Sequence, residues 1–472
     1  MPRRRLLAML VVAVGLVAVL PDAAMAHGLV GREDLPIPKW LFGWGATVVL
    51  VASFVGLAVL WPQPRLERRE ERRWISVPRI LDPICGAIGV ALFALVVYAG
   101  YEGSQTATNN FAPVFIFIIF WVGLAVASLL LGDVFKAFNP WRASARAVAW
   151  VASRVSRSGL PAPMAYPVWL GRWPAVAGIL AFAWVELVYS GRTDPSNLAT
   201  LALVYAALQF VGMSLYGIET WNRYGDGFGV YFGLFARLSP LHWTRGEVRR
   251  RPPLSGLTTL DIVPGTVALM CTAIGTTSFD GFQGGAAWGD LAPRLVTSLR
   301  DIGFSQGTAL ELAFTIGLLS AVAIVSALYW LGVTGMRRES GNALSAPELA
   351  GRFAHSLVPI ALAYVVAHYF SLLVYDGQRV GYLVSDPLGQ GDDFFGTSGA
   401  TVDYGWIGST AIWYVQVGAL VLGHVAGLIL AHDRALVTFK QSRTATRSQY
   451  WMLAVMIAFT SLGLWLLSSA NS

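Results

Sequence analysis

Long apolar runs separated by short arginine-bearing loops recur about ten times along the chain. The run Trp40–Trp61 (WLFGWGATVVLVASFVGLAVLW) is uninterrupted by charge. At roughly 1.5 Å per helical residue it is long enough to cross a hydrocarbon core of about 30 Å. Only helices and closed barrels satisfy their backbone in lipid, and continuous apolar runs exclude the alternating barrel pattern. The pattern therefore predicts an all-α, polytopic helical membrane protein of about ten transmembrane helices after a cleavable signal peptide. The predicted spans are 40–61, 83–101, 113–132, 173–190, 197–218, 262–279, 309–334, 355–375, 409–431 and 450–468.

The first residues read differently from the spans. Arg3-Arg4-Arg5, the short apolar stretch Leu6–Leu20 and Ala24-Met25-Ala26 make a secretory signal with its small-residue cleavage site. Residues 1–26 are thus expected to be removed, leaving His27 as an exported N-terminus able to offer an amine and an imidazole to copper. The remainder divides into a first half, 27–218, with five spans, a cytoplasmic loop with an interfacial helix, 219–261, and a second half, 262–472, with five spans. An odd number of spans per half is compatible with inverted halves, as in many secondary transporters.

Charge orients this arrangement. The alternate loops 62–82, 133–172, 219–261, 335–354 and 432–449 carry 25 Lys and Arg, against 6 in the other segments of the mature chain. Basic loops stay on the cytoplasmic side, so both mature termini are expected outside the cytoplasm of a bacterial cytoplasmic membrane. Charged residues are only 13% of the chain, well below the roughly 25% of soluble domains. The sequence pI near 9.5 consequently points to the anionic inner leaflet of a lipid bilayer as the partner, not to nucleic acid. Cys85 and Cys271 fall in or near apolar runs and imply no disulfide framework.

Ionisable groups at membrane depth are costly and are the first candidates for chemistry. Glu186 lies near the outer end of its span, close enough to snorkel, and Glu311 reads as part of a capping box begun by Thr308. His355 and His432 mark the inner ends of the eighth and ninth spans, whereas His368 and His424 lie within them. Imidazoles on facing helices can ligate a transition metal or haem, or relay protons, and Gly423 and Gly427 leave room beside His424 for a helix or a planar cofactor. If the two helices pack, His368 and His424 should meet polar groups such as Tyr364, Tyr369 or Tyr414. Two inner segments echo one another, Gly132–Trp141 and Gly225–Trp243, each with an aspartate (Asp133, Asp226), aromatic residues and a proline-ended turn. The stretch Tyr231–Leu238 is expected on the membrane or dipping into it. The outer loop 376–409 holds Asp376, Asp386, Asp392, Asp393 and Asp403 and could cradle calcium or act as a solvated turn-rich loop. Outer residues 278–307 carry Leu291, Leu295, Leu299 and Ile302 at near-helical spacing, as an interfacial helix would. Walker A, dinucleotide, nucleophile-elbow, C-x-x-C-H and H-E-x-x-H signatures are absent from the sequence.

Several segments together resemble a bacterial family of polytopic membrane proteins often labelled fenitrothion hydrolase. They are His27–Arg32 with Asp34–Pro38, Gly132–Trp141, Ser385-Asp386-Pro387-Leu388-Gly389, and Gly423-His424 through Ala431-His432-Asp433-Arg434. The resemblance runs through most of the chain and implies a membrane-bound organophosphate hydrolase, a reaction that usually needs a metal-activated water. Gly391-Asp392-Asp393 stands where a tryptophan-containing stretch is expected. Three functions remain open from the sequence: permease-like transport of a solute, intramembrane metal or haem handling, and ester hydrolysis.

Overall fold

The computed structural model describes residues 39–67, 70–155, 161–244, 246–342, 344–439 and 441–470. The predicted signal peptide and His27 lie outside them. The described chain is a helical bundle, and each of the ten apolar runs forms a helix. In chain order the first helices are α1 (Lys39–Leu60), α2 (Leu81–Glu102), α3 (Phe111–Leu131), α4 (Val134–Phe138), α5 (Pro140–Val155), α6 (Trp173–Leu187), α7 (Pro195–Tyr216), α8 (Ile218–Tyr224) and α9 (Gly227–Ala236). They are followed by α10 (Thr266–Gln283), α11 (Ala286–Asp301), α12 (Gln306–Glu339), α13 (Ala346–Phe353), α14 (Leu357–Tyr375), α15 (Ser409–Phe439) and α16 (Tyr450–Ala470). Among the described residues, 7 helical segments are long and apolar enough to cross a membrane. With its 15 residues, α6 is one that falls short, at roughly 23 Å.

The loops gather at two ends. At the basic end, β1 (Arg72–Ser76), β2 (Leu241–Thr244) and β3 (Glu247–Arg250) form a small antiparallel sheet of order β1-β3-β2, which pairs Arg73 with Arg249. Asp433 accepts hydrogen bonds from the Arg65 backbone N–H (2.6 Å) and the Trp61 indole N–H (3.0 Å), and Arg434 pairs with Glu67 at 2.9 Å. Arg142 pairs with Glu219 at 2.9 Å, and Arg447 with Glu339 at 3.4 Å. Through these contacts all five arginine-rich loops meet on one face. At the acidic end the segment 385–389 caps the connection between α2 and α3: the Ser104 N–H donates to Leu388 O (2.7 Å) and the Phe111 N–H to Pro387 O (3.1 Å).

Between the ends, the chain does something the hydropathy pattern did not announce. After α7, α8 turns back into the bundle, where the Trp221 indole donates to Gln209 of α7 at 2.8 Å. The turn's tip is Asp226, which reaches Tyr205 at the middle of α7 (2.9 Å), and α9 then returns to the basic end. At about 15 Å, α9 cannot span a bilayer. Such a re-entrant hairpin is tolerated at membrane depth only where protein or a cavity surrounds it. Here Tyr231, Phe232 and Phe235 are almost fully buried, so Tyr231–Leu238 is enclosed by the bundle instead of lying on its surface. The opposite wall is α3, whose Phe115–Gly123 stretch is π-helical. The wider turn lets neighbouring Phe120 and Trp121 both meet α9, at 4.7 Å from Phe228 and stacked 4.8 Å from Tyr231.

Two local readings are corrected. The N-cap of α12 is Ser305, which accepts from the Thr308 N–H (3.2 Å), so Thr308 does not start a capping box. Glu311 instead accepts the Ser190 N–H at 3.1 Å, tying α12 to the end of α6. The amphipathic helix of the 278–307 loop is α11, but its buried stripe is Trp288, Ala292 and Val296, with Leu295 and Leu299 packed partly against it and Leu291 and Ile302 exposed.

Candidate functional site

The ionisable residues of the apolar helices and their ends resolve into separate places. The first is a cluster near the acidic end. His368 Nε2 lies 2.8 Å from Asp280 Oδ2, joining α14 to α10. The Gln283 amide donates to the other oxygen of Asp280 at 2.7 Å, and Tyr369, whose ring is edge-on to His368 at 4.6 Å, also hydrogen-bonds Asp280. Glu186 of α6 is close enough to interact electrostatically with Asp280 and with Arg192. Tyr231 of the re-entrant α9 in turn feels the Glu186 charge. Two half-buried carboxylates, a half-buried imidazole and two buried phenols from four helices thus share one neighbourhood. Because a carboxylate–imidazole hydrogen bond can hold its proton on either partner, this arrangement is chemically suited to taking up and releasing protons.

The sequence pointed to Glu186, His368 and Tyr369 but missed Asp280. The apolar pattern ends that span at residue 279 and leaves this aspartate in a loop, whereas α10 continues to Gln283. A helical continuation through Phe279-Asp280-Gly281-Phe282 was the available signal.

His424 is a different case. It is fully buried, with Nδ1 2.8 Å from its own helix's Leu420 carbonyl and Tyr364 6.0 Å away, ring to ring. The adjacent Gly423 and Gly427 admit the backbone of α14: a Cβ on Gly423 would lie 2.2 Å from Ala363 Cβ, and one on Gly427 2.8 Å from Ser356 O. The space beside His424 is therefore filled by a helix. His424 also lines a void of about 20 Å³ with Cys271 and Ser356, far too small for haem. Tyr414, the third tyrosine considered, is exposed. No group of three or more His, Cys, Asp or Glu side chains is arranged to hold a metal among the described residues.

His432 bonds the Trp61 carbonyl at 3.0 Å and so fastens the basic end, whereas His355 is buried with neither ring nitrogen hydrogen-bonded among the described residues. In the outer loop, Asp386 accepts from the backbone of Gln390 and Gly391, Asp393 from Ser398 and Asp403 from Gly405. These carboxylates shape turns.

The echoing segments pack on each other. Asp226 accepts from the Asn139 amide (2.9 Å), the Trp141 indole (2.7 Å) and the Tyr205 hydroxyl, and the Trp243 indole donates to Leu131 O (2.5 Å). Asp133 caps α4 by accepting the Lys136 N–H at 3.2 Å. Together they wall a cavity of about 620 Å³ at the basic end. Its floor is the small-residue face of α9, Gly229 and Gly233 with Val230 and Leu234, and Arg172, Arg237 and Arg251 contribute to its sides. One short helix thus has this cavity on one face and Tyr231, beside the Glu186–Asp280–His368 cluster, on another. No known protein family, curated protein or solved structure matches this chain.

Proposed function

We infer that the protein is a permease that moves a solute across the bacterial cytoplasmic membrane and couples that movement to protonation of the Glu186–Asp280–His368 cluster. One observation carries the reading: a hydrogen-bonded aspartate–histidine pair between apolar helices near the acidic end, separated from a 620 Å³ polar cavity by a re-entrant helix. In this reading the ten helices all belong to the membrane domain, with the short α6 and the re-entrant hairpin enclosed by longer helices. The basic end faces the cytoplasm and both mature termini lie outside. Metal or haem handling and ester hydrolysis have less support, since the imidazoles of His368 and His424 have separate protein partners and no third ligand converges on either among the described residues.

The test is flux in proteoliposomes loaded with a pH-sensitive dye and challenged with panels of organic acids, phosphates, amino acids and sugars. Solute-dependent proton movement that disappears in Asp280→Asn and His368→Ala is expected. Flux that ignores both substitutions, or none with any panel, ends the proton-coupled reading. Sidedness has its own check: in intact cells a thiol reagent should label Asp393→Cys and leave Arg250→Cys untouched until the membrane is permeabilised.

A further inference from the structure

The cavity at the basic end is chemically specific, and its specificity does not depend on transport. Five cations line it: Lys136, Arg172, Arg223, Arg237 and Arg251. Two of these are already neutralised, Arg223 by Asp261 and Arg251 by Glu71 at 3.5 Å. Of the lining carboxylates, Glu71 is engaged by His242 (2.7 Å) and Arg251, and Glu219 by Arg142. Arg172 and Arg237 lie near the already paired Asp261, and Arg237 also near Asp133 and Glu71, but neither they nor Lys136 form an ion pair among the described residues.

Arg172 and Arg237 hold neutral oxygens. Arg172 Nη1 donates to the Asp261 carbonyl (2.8 Å) and the Thr266 hydroxyl (2.6 Å), and Arg237 Nη1 to the Gly256 carbonyl (3.1 Å) and the Thr259 hydroxyl (3.3 Å). Neither has a carboxylate within ion-pairing distance among the described residues. Arg172 is only 3% exposed, and its Nε has no hydrogen-bond partner there; nor does the buried Nδ2 of Asn222, another lining group. Burial pulls the Arg172 guanidinium down to about 10, which still leaves it charged at neutral pH. Buried donors without acceptors are rare and costly, and a cationic one with a neutral amide donor in the same cavity wall is best satisfied by a small anion with several oxygens.

The floor is built to admit one. A Cβ on Gly233 would meet no atom within 4 Å, so the cavity reaches the α9 backbone itself. We propose that this cavity is a binding site for an oxyanion, a phosphate or carboxylate group seated on α9 between Arg172, Arg237, Lys136 and the Asn222 amide. The group can belong to a free solute or to an anionic lipid headgroup, since the cavity opens beside Trp243 at the basic end.

The experiment uses the full chain purified in detergent. Inorganic phosphate and succinate are titrated at constant ionic strength, with chloride as control. In parallel, lipid retention is compared in nanodiscs of phosphatidylglycerol and of phosphatidylcholine by native mass spectrometry. Saturable binding of phosphate or succinate is expected, weakened at least about tenfold in Arg172→Gln, the worth of one charge-assisted hydrogen bond. Because Arg172 also braces the loop before α10, Gly233→Leu is the second variant. It adds bulk into open space, so it should fold normally and abolish binding. Retention of phosphatidylglycerol alone, lost in Gly233→Leu, identifies the oxyanion as a headgroup and upholds the site. Absence of any oxyanion binding, or binding unchanged in both variants, overturns it. Binding that survives while proton-coupled flux fails removes the permease reading and leaves this site standing.

Discussion

Asp226, fully buried, and Asp280, half-buried, are both aspartates set among apolar helices, yet their surroundings differ in kind. Asp226 is held by an asparagine amide, an indole and a phenol, three neutral donors fixed by α4–α5 and α7. None of these partners changes charge near neutral pH, so the carboxylate serves as a pin for the tip of the re-entrant hairpin. Asp280 faces an imidazole and lies beside a second carboxylate, so its neighbourhood can exchange a proton without breaking apart. The lesson is that burial alone does not mark a site; the titratability of the partners does.

The comparison breaks most sharply at the pin. Asp226→Ala strands three buried donors and should cost about 3–5 kcal/mol, read as a large loss of thermal stability in detergent. An unfolding temperature close to wild type would mean that the hairpin is held elsewhere. Helix packing supplies the next largest effect. Gly423→Leu must displace Ala363 and the Pro359 carbonyl and should cost at least about 1–3 kcal/mol. Gly233→Ala enters open space and should be neutral or stabilising by up to about 1 kcal/mol, since alanine is the better helix former.

At the titratable aspartate, His368→Ala and Asp280→Asn should each lower stability modestly. A double-mutant cycle should return a coupling of roughly 1–3 kcal/mol, with flux lost in every variant. Additivity would show that the 2.8 Å contact contributes nothing. The smallest effect concerns Glu71 at the basic end. Burial alone would push its carboxyl up, but the hydrogen bond and charge of His242, with the charges of Arg251 and Arg249, hold it below the ordinary 4.5. A carboxyl lowered by folding stabilises above its unfolded value and loses that contribution as pH falls through the folded one. Glu71→Gln should therefore lower stability slightly at neutral pH, where the wild-type carboxylate contributes, and flatten the acid limb below about pH 4.5, where that contribution is lost in any case.

The hydropathy pattern located the ten apolar helices because each is a local, one-dimensional signal, enough consecutive apolar residues to satisfy lipid. It missed α5, whose Pro140 starts a helix where a proline-ended turn was expected. The basic loops that meet at one face were equally legible, since arginine position is a property of the chain. Asp280 escaped because its meaning depends on where α10 ends, and a helix end in a partly polar stretch is set by packing. The hairpin at Asp226 escaped for a similar reason, as ten apolar residues read alike on a membrane surface and inside a bundle. Side-chain clusters escaped altogether where their members lie far apart in sequence: Glu186, Asp280 and His368 come from α6, α10 and α14, and only helix packing brings them together. The sequence by itself determined a helical membrane bundle with one basic and one acidic end, because lipid solvation acts on each segment separately. Tertiary structure alone decided which buried charges pin the fold, which can exchange protons and where a polar cavity opens, because those properties belong to pairs of helices and not to any one of them.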